Sequence, residues 1–111
     1  MVVTPQDVSV RKDDHDKTGP DKAALLQMRK VAIEPGRWHT LLVEIQGPEM
    51  LARIDDETVA LGSHEGLDVE KTNFGLIISG ASVSLKDLVI WEAQSNTGWT
   101  ATRAKLAAAN R

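Results

Sequence analysis

The sequence predicts an all-β chain closed by one short helix. Three observations carry this. Short runs of alternating aliphatic residues recur from Val2 to Trp91, separated by Gly, Pro and Asp turn signals. Their spacing, about 8–12 residues, suits a β-sandwich or barrel rather than a sheet with crossover helices. The period then changes: Trp99, Thr102, Leu106 and Ala109 fall at i, i+3, i+7 and i+10, a helical stripe.

Each element follows in order. Val2 to Arg11 has weak strand character, with Val8 and Val10 in phase. Lys12 to Lys22 is a polar loop with four Asp and a Gly19-Pro20 turn signal. Ala24 to Ile33 alternates again. Its Ala, Leu, Gln, Met, Arg and Lys leave a short helix as the alternative, but Val31, Ile33 and the Pro35-Gly36 stop favour a strand. Arg37 to Gln46 is the clearest strand, since Leu41, Val43 and Ile45 alternate with Thr40, Leu42 and Glu44 before Gly47-Pro48. Met50 to Ile54 follows, and Asp55-Asp56 is a tight-turn candidate leading into Thr58–Leu61. Gly62 to Lys71 reads as a polar loop. Phe74–Ser79 and Val83–Trp91 read as two further strands around Gly80-Ala81, giving six or seven in all. Residues 1–95 then form the β domain and residues 96–111 a helix seated on it by Trp99, with Trp91 packed against Trp99. Arg103, Lys105 and Arg111 lie towards the end of that helix, where cations complement its dipole.

Composition narrows the function classes. A length of 111 residues makes one domain or less. Thirteen Lys and Arg against sixteen Asp and Glu leave a net charge of −3, which speaks against a nucleic-acid partner. No apolar run approaches the ~20 residues of a membrane span. With no cysteine there is no disulfide, thiolate metal site or cysteine nucleophile. Met1 to Asp7 lacks the basic and apolar regions of a signal peptide.

From Pro35 onward the chain resembles the concanavalin A-like lectin/glucanase superfamily in its laminin-G-like form. The shared features are Gly36-Arg37-Trp38-His39, the Leu41/Val43/Ile45 alternation, Arg53-Ile54-Asp55 ending in a turn, and Phe74-Gly75-Leu76. More narrowly it is similar to the C-terminal half of the 3-keto-disaccharide hydrolase family, whose closing strand the run Leu85–Trp91 resembles. Lys12–Asp16 and Gly19–Lys22 also resemble a loop of some members. The resemblance implies a jelly-roll sandwich, here a truncated one. It also implies a carbohydrate-related activity, either glycoside cleavage or sugar binding, in a family that is usually exported. Asp56 departs from the family's Gly in the hairpin, so a non-Gly residue must take positive φ there or the turn must be built differently. Lys86 stands where the family has an Asp. A truncated sandwich leaves sheet edges and apolar faces uncovered, which predicts a homodimer with twofold symmetry. The other expectation is a non-catalytic interaction or structural module.

Candidate chemistry is thin. Asp13, Asp14, His15 and Asp16 are the densest set of hard ligands, so a Ca²⁺ site is one reading and a solvated loop, partly neutralised by Lys12, Lys17 and Lys22, the plainer one. No other cofactor is implied. Trp38, His39, Arg53 and His64 are the candidates for ligand binding. Trp38 lies out of phase with the aliphatic face and is the best platform for a sugar ring, with packing in the core or an interface the plainer reading. His39 shares the aliphatic phase, which favours a packed, hydrogen-bonded histidine, and His64 falls in the polar loop. Glycoside hydrolysis needs two carboxylates. The adjacent Asp55, Asp56 and Glu57 do not reproduce the alternating glucanase spacing, so the catalytic residues stay unassigned.

Overall fold

A computed structural model describes residues 1–14, 19–20 and 22–109. The chain is mostly β, with two antiparallel three-stranded sheets and one short C-terminal helix. The first sheet holds β1 (Val2–Val3), β2 (Asp7–Lys12) and β3 (Ala24–Lys30), in that order. The second holds β4 (Leu41–Gln46), β5 (Glu49–Ile54) and β6 (Thr58–Ser63). One turn of 3₁₀ helix covers Glu65–Leu67, and α1 spans Trp99–Ala109. No helix among the described residues is long and apolar enough to cross a membrane.

The N-terminal run is a hairpin rather than one strand. Thr4 folds it, its Oγ1 accepting from the Gln6 and Asp7 amides, while its own amide donates to the Asp7 carbonyl. That turn sets Val2 opposite Ser9 and Val3 opposite Val8. The Ala24–Ile33 run is extended, as its β-branched end favours. Beyond β3, the Val31 and Ile33 amides donate to the Gln6 and Pro5 carbonyls, so pairing continues past the strand.

The two sheets share one core. Val8 and Val10 of β2 meet Met50, Ala52 and Ile54 of β5 and Ala60 of β6, with Leu67 closing one end. Pairing between β2 and β3 shifts after Val10–Gln27 to Arg11–Leu25, which leaves Leu26 as an extra residue on β3. Leu26 packs against the core and lies over Gly62 of β6. A Cβ on Gly62 would stand 2.5 Å from Leu26 Cβ and 2.9 Å from Val10 Cγ2. Gly62 therefore belongs to the strand, which runs two residues past the expected Leu61 so that the sheets can approach.

At the far end of β5 the chain turns through Asp55 (φ 52°) and Asp56 (φ 59°), closed by the Glu57 amide donating to the Ile54 carbonyl. Both central residues are left-handed, as a type I′ turn requires, and Asp is one of the few side chains that tolerates this.

Two expected strands are absent. Phe74–Ser79 and Val83–Trp91 make no ladder with any described residue, and all their residues are exposed. Backbone geometry explains part of this, since Gly80 (φ 101°) and Asp87 (φ 55°) interrupt the extended conformation. The Lys86 ammonium sits 4.4 Å from the Trp38 ring centre at one end of β4, and Ser95 bonds Gln46 at the other. The run 86–95 thus meets the chain just before β4 and at its end, while its backbone makes no hydrogen bond with the backbone of any described residue.

The helix keeps its expected stripe, with Trp99, Thr102 and Leu106 its less exposed positions, but none is buried. Glu49 holds it, accepting from Trp99 Nε1 at 3.1 Å and meeting Arg103 Nε at 2.8 Å. Arg103 is thus tied to the sheet, and no described cation occupies the last turn; Arg111 lies outside the described residues. Trp91 is 71% exposed and is not packed as expected.

Replacing Gly62 with Ala forces backbone-proximal atoms of Leu26 and Val10 apart. We expect Gly62→Ala to cost about 1–3 kcal/mol, read as a lower urea midpoint with an unchanged m-value. Asp56→Gly relieves a left-handed Asp and removes only an exposed 3.7 Å contact to Arg53. It should gain about 0.5–1 kcal/mol; a loss would show that the Arg53 contact outweighs the backbone strain.

Candidate functional site

The densest polar constellation lies where the loop Glu34–Thr40 meets the β5–β6 turn. Gly36 (φ 80°) reverses the chain, and the Arg37 amide donates to the Glu34 carbonyl at 3.3 Å. This presents His39 to Asp55. The Glu34 amide donates to His39 Nε2 at 3.3 Å, so Nε2 carries no proton. Nδ1 therefore holds the proton and donates to Asp55 Oδ2 at 2.5 Å. Asp55 Oδ1 accepts from the Thr40 amide at 2.8 Å, and the Asp55 amide donates to the Thr40 carbonyl at 2.9 Å.

Asp55 thus supplies, through backbone and side chain together, the rung that would follow Leu41–Ile54 in the ladder. This is why β4 begins at Leu41 and not at Arg37: the preceding residues bond a carboxylate instead of a neighbouring strand. The hydrogen bond from His39, and next that from the Thr40 amide, hold the Asp55 carboxyl below its ordinary range. Arg37 adds a smaller effect, and partial burial opposes them.

The imidazole is 9% exposed and both its nitrogens are engaged. As a general base it would need a free lone pair facing a substrate. The pair of residues is built as a clamp that joins the loop to the turn.

The clamp residues line an open cleft of about 380 Å³, together with Lys30, Glu34, Arg37, Glu57 and Thr58. Trp38 is carried by the same loop; the residue is 57% exposed and the Lys86 ammonium lies over its ring. Arg53 stands on the neighbouring strand, its guanidinium 3.7 Å from Asp56, with Nε buried and given no hydrogen-bond partner among the described residues.

His64 is not part of this group. Its amide donates to the Pro48 carbonyl at the opposite end of β5, and its Nδ1 accepts from Gly66, capping the 3₁₀ turn. The structure therefore gathers Trp38, His39 and Arg53 near one turn and places His64 elsewhere. Of the acidic loop, Asp13 and Asp14 are described, and His15 and Asp16 lie outside the described residues. Among the described residues no three acidic or histidine side chains converge on one point.

Compared with known proteins, the chain matches no family model, no curated protein and no solved structure.

A second cleft, of about 570 Å³, separates α1 from β3 and β6, with Leu26, Leu61, Trp99 and Ala104 in its wall. Two of its polar side chains are engaged: Gln27 accepts from the Leu61 amide and Glu49 accepts from Trp99 Nε1. It serves as the seat of α1.

Asp55 as the partner of His39 was missed in the sequence, though a signal for it was there. A turn at Gly47-Pro48 between two six-residue strands places residue 40 opposite residue 55.

The Asp55 carboxyl titrates lower in the folded chain than in the unfolded one. Its stabilisation is therefore complete above the unfolded value of about 3.9 and is lost as pH falls through the lower folded value. At neutral pH we expect Asp55→Asn to be less stable than wild type, with the gap closing below about pH 4. Urea titrations at a series of pH values would read this, and a gap constant down to pH 2 would refute the charge as its origin.

Proposed function

We propose that the chain is a carbohydrate-binding module of the laminin-G-like, concanavalin A-like type, with its two sheets as the faces of a jelly-roll sandwich, and that it binds sugar without cleaving it. The observation that supports this best is the loop Glu34–His39. It carries a half-exposed indole with the Lys86 ammonium over its ring, and its other residues Glu34, Arg37 and His39 line a cleft with both acidic and basic side chains. Sugar rings offer an apolar face for stacking and a rim of hydroxyls that both donate and accept, which suits such a wall. The motif Gly36–His39 and Arg53–Asp55, on which the resemblance to the 3-keto-disaccharide hydrolases rests, is what builds this corner.

Cleavage has less support. The acid of a glycosidase must hold its proton at neutral pH, so its pKa is raised. Asp55 is shifted the other way, and both its oxygens are engaged. A second reading, a non-catalytic interaction module, is favoured by a separate observation: the apolar run from Phe74 to Trp91 is exposed throughout.

A glycan array followed by calorimetry tests the first reading. We expect a ligand that Trp38→Ala weakens about ten-fold, ~1.4 kcal/mol, without loss of fold. No turnover of 3-keto-glucosides should accompany binding. Silence across the array, or an affinity indifferent to Trp38, would overturn it.

A further inference from the structure

The largest unexplained feature of the surface is apolar. Ten residues between positions 74 and 91 are each more than half exposed: Phe74, Leu76, Ile77, Ile78, Val83, Leu85, Leu88, Val89, Ile90 and Trp91. Ile77 is 98% exposed and touches almost nothing. Beside this run stands β4. Its Leu41, Val43 and Ile45 share a sheet face with the core residues Ile54, Ala52 and Met50, yet remain about two-fifths exposed. They point to the core side of the sheet, but the first sheet covers only β5 and β6.

We propose that a second copy of this chain covers this surface, in a twofold dimer formed by the run 74–91 and the bare face of β4. The proposal rests on the interaction-module reading and names its partner. Area is the first reason. Ten large apolar residues within positions 74–91, each more than half exposed, are the kind of surface that a standard interface covers with ~800 Å² from each partner.

Charge is the second. The chain carries −3, so identical copies repel over most of their surface. Between Phe74 and Trp91 the only charges are Lys86 and Asp87, adjacent and opposite in sign. This is the face on which two copies meet without like-charge repulsion, and its centre is depleted of charge as interface centres are.

Backbone chemistry is the third. The run has strand-forming residues but no backbone hydrogen bond to any described residue. An isologous contact offers each copy an edge with the same need, and satisfies both at once.

The test measures mass and amide exchange together on the full chain. Sedimentation at about 50 µM, above the Kd of a standard interface, should give twice 12.1 kDa, with amides of 74–91 slowed in the dimer. Ile77→Glu and Val43→Glu should each shift the equilibrium to monomer. Ile77 has no packing to lose, so its variant keeps the test valid if Val43→Glu fails to fold. A monomer with fast exchange in 74–91 overturns the second copy and leaves the surface open for another partner. A monomer with slow exchange there overturns the interaction-module reading itself, because the run would be buried on its own chain. A dimer unmoved by either variant overturns the placement of the contact.

Discussion

Everything in this molecule depends on how closely β6 can approach β3 across the core. The strand residues buried between the sheets are few: Val8 and Val10 on one side, Met50, Ala52, Ile54 and Ala60 on the other. Two of the six residues are alanines, so the sheets must come near one another for the valines to find partners. Gly62 permits that approach by presenting no Cβ to Leu26 and Val10. The extra residue on β3 supplies the matching bulk, since the shift in pairing frees Leu26 to pack on the core. A residue missing on one strand and a residue added on the other thus fit together, and the shared core follows from the fit.

The turn at Asp55 depends on that core and in turn fixes the loop beside it. Ile54 is among the most deeply buried side chains, so the strand end is anchored immediately before the turn. Asp55 then sits at left-handed φ with its carboxylate aimed back at Thr40 and His39. Rigid packing on one side of the turn is what lets a partly exposed carboxylate order the Glu34–Thr40 loop on the other. Trp38, projecting from that loop, is therefore presented in a fixed place. A surface aromatic held by a buried strand end is a better binding element than one on a free loop, because little conformational freedom remains to be lost when a ligand arrives.

Much of this was legible in the sequence, for physical reasons that differ by element. The strands β4 to β6 announce themselves because period-2 alternation and turn residues agree, and Asp55-Asp56 marks a turn that demands left-handed residues. Gly62 was misread as the start of a loop, since glycine in a strand looks like a breaker until the opposing Leu26 is known. The first strand pair was blurred into one because Thr4 acts through its hydroxyl, and a single Thr-Pro carries little weight as a turn. His39 was read as packed and hydrogen-bonded by its phase, but its partner lies sixteen residues away and emerges only when the hairpin register is worked out. At the acidic loop, the residues described do not extend to His15 and Asp16.

The instructive failure is Phe74–Trp91. Strand propensity reports that a segment fits a pleated, half-buried surface; it does not supply the surface. Val83, Leu85, Val89, Ile90 and Trp91 satisfy the pattern, while a ladder also needs an edge within reach and unbroken extended backbone. Asp87 at φ 55° denies the second, and the run, which meets Trp38 before β4 and Gln46 at its end, makes no rung with it. The same segment that reads as a strand is thus left as exposed apolar chain beside an uncovered face. Isolated, that arrangement is the costliest on the molecule, since it keeps in water the very side chains whose burial drives folding. The core has nine buried apolar residues while eighteen large ones stay exposed among the described residues. A chain so divided gains most from whatever covers Phe74–Trp91, and covering that run has a stronger physical drive behind it than any chemistry at the His39–Asp55 clamp.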